Sequence, residues 1–367
     1  MKILSIVGAR PQFIKAKPLI DAFLKIKARH ILVHTGQHYD YEMSQLFFDE
    51  LAIQKPDYNL GIGSSTQGTQ TGRMLEKIEG VLLKVKPDIV VVYGDTNSTL
   101  AGALASVKLG IPLAHVEAGL RSFRLDMPEE INRILTDRVS SLLFCPTKTA
   151  VKNLKEEGVK RGIYLVGDIM RDILEKSSGL IKRRKILQRL KILAKGYTLL
   201  TVHRQENTDN RGNLKILLSA LASSDERIIF PIHPRTEKAL HSFGKPFLKN
   251  LNNFIVIKPV SYLDMLCLLK NANKVFTDSG GIQKEAYWLR IPCITLRNET
   301  EWVETLEEGW NVLAGVNRRK ILSLLKHFKT PKGHRDIFKD TNTADKIAEI
   351  ISKKTHSLKN GCKHIAR

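Results

Sequence analysis

Apolar residues along the chain fall into two alternating rhythms. Short runs rich in Val, Ile and Leu are followed by longer stretches in which apolar positions recur every three or four residues. The short runs predict strands at 2–7, 30–35, 88–93, 112–116, 142–145 and 163–166, then at 197–202, 228–232, 254–257, 274–277 and 292–296. The longer ones predict helices that include 97–109, 128–139, 261–271 and 281–289. Most of the short runs are apolar throughout, as strands covered on both faces must be. Strands alternating with helices predict βαβ units on parallel sheets. A polar, basic region near 167–195 separates two sets of similar rhythm. The expected fold is therefore α/β, with two Rossmann-like domains at 1–167 and 168–342.

Ligands of open α/β sheets bind outside the carboxyl ends of the strands, and the polar motifs gather there. In the first half the strands run into Gly8-Ala9-Arg10-Pro11, Gly94-Asp95-Thr96-Asn97 and Glu117-Ala118-Gly119-Leu120-Arg121. In the second half they run into His203-Arg204-Gln205-Glu206-Asn207, His233-Pro234-Arg235-Thr236 and Asp278-Ser279-Gly280-Gly281. Ser279, Gly280 and Gly281 open a helix directly after a strand, where exposed backbone N–H groups suit an anion; the same residues also serve as an ordinary cap and turn. Glu285, one turn on, is placed either to accept from ribose hydroxyls or to face solvent. Arg10 and Lys15 are two cations suited to phosphate, or surface charges of the first helix. Asp95, Glu117 and Glu129 supply carboxylates and His203 an imidazole, the groups that proton transfer at carbon needs. Glu129 and Arg133, four apart, are equally a plain helix pair.

Composition trims the alternatives. With 367 residues, 43% hydrophobic and 26% charged, the chain has the make-up of a two-domain globular protein. No apolar run approaches a membrane span, and the first apolar run reads as a strand rather than a signal peptide, so a cytoplasmic location without membrane contact is expected. Cys145, Cys267, Cys293 and Cys362 form no CxxC pair, so neither a disulfide framework nor a metal site is expected. A GxGxxG fingerprint and a GxxxxGK[ST] loop are both absent, which removes most support for a dehydrogenase or a P-loop ATPase. The formal charge is +22, of which residues 182–195 and 353–367 carry seven and five basic residues and no acid. The first stretch reads as an amphipathic helix with a basic face, the second as a tail. Since no nucleic-acid-binding motif accompanies the charge, nucleic acid is not an expected partner.

Taken together, GARPQFIK (8–15), TGQHYD (35–40), YGDTNSTLAGALA (93–105), HVEAGLRS (115–122), MPEEINRILTD (127–137), VHRQEN (202–207), HPRT (233–236) and TDSGGIQKEA (277–286) resemble the non-hydrolysing UDP-N-acetylglucosamine 2-epimerase family along essentially the whole chain. The resemblance implies a glycosyltransferase-B-like fold with a cleft between the domains and a C-terminal helix, about 343–367, packing back on the first. It implies a homodimer and a UDP-sugar substrate, inverted at carbon 2 by loss and return of UDP, with no metal or redox cofactor. It makes Asp95, Glu117 and Glu129 the proton-transfer groups, His203 a neighbour of the diphosphate and Arg133 a positioning group. It also puts the nucleotide on Arg10, Lys15, Ser279, Gly280, Gly281 and Glu285, with Val260 and Met265 at the uracil. Five positions depart from the family pattern, Tyr39 and Asp40 among them. Gln12 and Lys284 stand where Glu is usual, and Trp302 stands where a nucleotide-contacting Arg is usual. GARPQFIK, GGIQKEA and TEWVE look like the branch acting on UDP-2,3-diacetamido-2,3-dideoxyglucuronate. Gln37 and His38 keep the pattern of a loop through which substrate activates some relatives, whereas Tyr39 and Asp40 do not. A glycosyltransferase of the same fold and a hydrolysing epimerase are the rival readings.

Overall fold

The computed structural model describes residues 1–37, 50, 53–242, 251–338 and 341–362; His38, Tyr39 and Asp40 lie outside them. The chain divides into two units, Met1–Lys176 with Phe338–Arg367, and Ser177–Ile337.

The first unit is built on a parallel sheet of strands β1 (Lys2–Val7), β2 (Arg29–His34), β3 (Tyr58–Asn59), β4 (Ile89–Tyr93), β5 (Leu113–Val116), β6 (Leu142–Cys145) and β7 (Ile163–Leu165). Their order is β3-β2-β1-β4-β5-β6-β7. β1 and β4 are apolar and buried almost throughout because helices cover both faces. The order reverses between β1 and β4, the point at which open sheets part and leave a crevice. Helix Thr343–Cys362 belongs to this unit and packs on helix Arg10–Lys25. Asp172 caps it, accepting from the backbone N–H groups of Thr343 (3.1 Å) and Ala344 (2.8 Å).

The second unit repeats the scheme with β8 (Thr198–Thr201), β9 (Ile228–Pro231), β10 (Phe254–Ile257), β11 (Lys274–Thr277), β12 (Cys293–Thr295) and β13 (Asn311–Leu313), in the order β10-β9-β8-β11-β12-β13. Its switch point lies between β8 and β11. Leu200, Leu214, Leu217, Leu218, Ile228 and Phe230 form the centre of its core.

One expectation is overturned. Residues 182–195 are not a single basic helix: the preceding helix ends at Lys182, a single turn Ile186–Arg189 follows, and Lys191 and Lys195 take left-handed backbone (φ 53° and 60°). The reason is electrostatic as much as steric. Arg184 and Arg189 both grip Asp264, at 2.6 and 2.7 Å, so part of the run is spent on an internal anchor instead of a solvated face.

Candidate active site

In the first unit the switch point sets the motifs after β1 and β4 side by side. Gln12, in the first turn of the helix after β1, is buried and satisfied at both ends of its amide. Its Oε1 accepts from the N–H groups of Gly8 (2.7 Å) and Ala9 (3.0 Å), while Nε2 donates to Tyr93 O (2.7 Å) and Thr99 Oγ1 (2.9 Å). A carboxylate there would lack those two donors. One turn on, Lys15 is 9% exposed and pairs with Glu117. Gly94, with φ 63°, passes directly beneath: a β-carbon at this position would sit 3.2 Å from Lys15 Nζ and 3.3 Å from Glu117 Oε2. Next to it, Asp95 accepts from Arg133 Nη2 at 2.7 Å, and Arg133 is also held by Glu130 at 3.1 Å.

Glu117 itself has φ 74°. A non-glycine residue in left-handed backbone costs on the order of 1 kcal/mol and persists where the surroundings over-determine it. Those surroundings are visible. The N–H of Glu117 and of Ala118 both donate to Phe144 O, at 3.1 Å each. Flanking them, His115 is fully buried between Asp137 Oδ1 and Gly94 O (2.7 Å each), and Arg121 binds Asp137 Oδ2 (2.7 Å) and Glu157. Burial works to raise the pKa of Asp137, but His115 and Arg121 outweigh it and keep the carboxyl below its usual range. The Glu117 loop thus rests on a sealed ionic floor.

In the second unit Asp278, at the end of β11, reaches across the switch point to the end of β8. It is fully buried and accepts from the N–H groups of His203 (2.9 Å) and Arg204 (2.9 Å) and from Asn207 Nδ2 (3.0 Å), with His203 Nδ1 at 3.1 Å. Burial alone would raise its pKa; His203, Asn207 and the Arg204 N–H more than offset that and hold it at about 2. The ring of His203 is fixed through Nδ1 and lies 36% exposed, 5.4 Å from that of His233. Ser279 caps helix Gly280–Trp288 without a side-chain bond, and Ser279, Gly280 and Gly281 are half-buried. Beyond β12, Arg297 is buried among Glu206, Glu299 and Glu301. Among the described residues no cluster of His, Cys, Asp and Glu is arranged to hold a metal ion.

A family model for UDP-N-acetylglucosamine 2-epimerase matches residues 24–352. The chain belongs to that family. A UDP-N-acetylglucosamine 2-epimerase homologue from Methanococcus maripaludis is 54% identical over 96% of this chain and 99% of its own length. A UDP-2,3-diacetamido-2,3-dideoxy-D-glucuronate 2-epimerase from Pseudomonas aeruginosa is 46% identical over 96% of this chain and the whole of the relative. The crystal structure of Methanocaldococcus jannaschii UDP-GlcNAc 2-epimerase in complex with UDP-GlcNAc and UDP superposes with a TM-score of 0.91, at 44% identity, covering 96% of this chain and all of that one. Family, epimerase class and the two-unit, glycosyltransferase-B-like α/β fold are thereby established.

Within this epimerase the predicted residues sort by unit. Arg10, Lys15, Asp95, Glu117, Glu129 and Arg133 lie on the first. Glu129 is half-buried in the first turn of helix Pro128–Val139, and Arg10 opens helix Arg10–Lys25. His203, Val260, Met265, Ser279, Gly280, Gly281 and Glu285 lie on the second. Val260 and Met265 are half-buried after β10, and Glu285 is 3% exposed, which excludes a solvent-facing role. Sequence reasoning missed the floor made by His115, Asp137 and Arg121. Its signal was a histidine inside the otherwise apolar run Leu113–Val116. The buried Arg297 cluster and the hub role of Gln12 were also missed.

Proposed function

We propose that the enzyme interconverts the carbon-2 epimers of a UDP-linked 2-acetamido sugar. A carboxylate of the first unit removes the carbon-2 proton while the bond from carbon 1 to the diphosphate oxygen breaks, giving a 2-acetamidoglucal and UDP. A second acid then returns a proton to the opposite face of carbon 2, and the diphosphate oxygen adds back to carbon 1. Atoms balance without redox. Asp95, Glu117 and Glu129 are the proton-transfer groups and Arg133 positions Asp95. His203, Ser279, Gly280 and Gly281, with Arg10 and Lys15, hold the diphosphate as it gains charge; Glu285, Val260 and Met265 hold the nucleoside. The observation that carries the reading is Glu117: a carboxylate in strained backbone, pinned by a buried lysine, is a costly arrangement that packing alone does not require. We also assign it a cytoplasmic place, a homodimeric state and the isomerase class.

UDP-GlcNAc is the first substrate. The diacetamido uronate is the second reading, favoured by the Pseudomonas relative and by Lys284 and Trp302. Incubation of either UDP-sugar in deuterated water decides both matters. Deuterium at carbon 2 and an epimer mixture still attached to UDP are expected, with turnover falling by orders of magnitude in Asp95→Asn and Glu117→Gln while UDP still binds. Free sugar would show hydrolysis, and turnover only with an added acceptor would show glycosyl transfer.

A further inference from the structure

His115 is the polar residue of strand β5, and its side chain is fully buried. Its Nδ1 stands 2.7 Å from Asp137 Oδ1 and its Nε2 stands 2.7 Å from the main-chain oxygen of Gly94. Both partners are acceptors: a peptide carbonyl, and a carboxylate whose other oxygen accepts from the Gly119 N–H (3.1 Å) and Arg121 Nη1 (2.7 Å). A neutral imidazole has one hydrogen and would turn a bare nitrogen toward an oxygen, so the ring carries hydrogen on both nitrogens and is a cation. The two ends of this contact belong to different motifs. Gly94 O is the oxygen of the peptide that leads into Asp95, and the N–H of Gly94 donates to Val116 O at 3.0 Å. Beyond it, the carbonyl of Asp95 accepts from Asn132 Nδ2 at 3.0 Å, and its carboxylate accepts from Arg133. Asn132, Arg133 and Asp137 lie on one helix, Pro128–Val139. Asp137 in turn holds the loop of Glu117 through Gly119 and Arg121.

We propose that His115 is a positioning residue for the proton transfers: as an imidazolium it ties the peptide entering Asp95 to the carboxylate that holds the Glu117 loop, and thereby sets the separation of those two acids. The inference rests on the functional reading above and deepens it. It accounts for a charged ring inside an apolar strand, where a leucine would fill the space without the cost of burying a charge. The charges around the ring balance locally, His115 and Arg121 against Asp137 and Glu157. The bridge is therefore complete before any substrate arrives, and the acids are preorganised instead of being gathered by it.

Turnover of the full-length protein, counted per UDP-binding site, tests it, because misfolded chains then drop out of the count. The Asn side-chain nitrogen reaches where Nδ1 stands and the Gln nitrogen where Nε2 stands. His115→Asn thus keeps the bond to Asp137, and His115→Gln keeps the bond to Gly94 O. A bridge released at either end is open. Both variants should therefore lose kcat per site by a similar factor, roughly 100-fold as for a misplacement of about 1 Å, with KM and UDP Kd within about twofold of wild type. Nitrogen NMR of isotopically labelled wild type at neutral pH should show hydrogen on both ring nitrogens of His115, a signal that both variants delete. Wild-type kcat per site in either variant, losses that follow UDP affinity, or a ring with one bare nitrogen would each overturn the role of His115 and leave the epimerase reading intact. Wild-type protein that puts no deuterium at carbon 2 of either UDP-sugar overturns both.

Discussion

Asp278 concentrates the residue-scale logic of the site. Four donors converge on one sealed carboxylate, so its folded-state pKa of about 2 lies below the ordinary 3.8. A depressed acid stabilises the fold above its ordinary value, and that contribution is lost as pH falls from about 4 through about 2. Asp278→Asn should therefore cost about 2 kcal/mol near neutrality and remove part of the acid-limb slope, both readable from urea unfolding between pH 3 and 6. Sequence reading recognised Asp278 only as the start of an anion-binding turn. Its partners at 203, 204 and 207 lie more than 70 positions away in the chain, and no local pattern announces such a pairing. The same holds for Lys15 and Glu117, both named from their motifs but not as a pair. By contrast, Asp95, Ser279 and the glycines were legible because strand ends and helix starts are local events.

At the scale of elements, apolar periodicity located eleven strands nearly to the residue: 2–7, 142–145, 254–257 and 274–277 agree fully with the structure, and the others differ by a residue or two at an end. β3 and β13 escaped it. Tyr58–Asn59 has two residues, and Asn311–Leu313 is short and at a sheet edge, so neither carries a continuous apolar run. The basic region at 182–195 misled because charge density resembles helical amphipathicity when the tertiary partner, Asp264, is out of view. Helix Thr343–Cys362 depends on one distant cap. Asp172→Ala should lower stability by about 1–2 kcal/mol, and hydrogen exchange should show the first turn after Thr343 opening more readily while the sheets keep their protection.

For the molecule as a whole, net charge says less than its placement. Among the described residues no helix is long and apolar enough to cross a membrane, and the basic surplus is partly consumed by internal pairs. The apolar surface is more telling. Phe123 and Leu125 are 77% and 69% exposed, and Ile131 and Leu135, one helical turn apart, are 44% and 43% exposed. Such residues, close in the chain and apolar, favour self-association. Sedimentation equilibrium should give twice the 41.5 kDa chain mass, and Ile131→Asp with Leu135→Asp should shift the population to monomer; an unchanged dimer would place the interface elsewhere. One local strain has a counterweight. Glycine at position 117 would relieve the left-handed backbone, yet it would strand the buried Lys15 ammonium without its carboxylate. Backbone ease and charge pairing therefore pull this position in opposite directions, and no single residue type satisfies both.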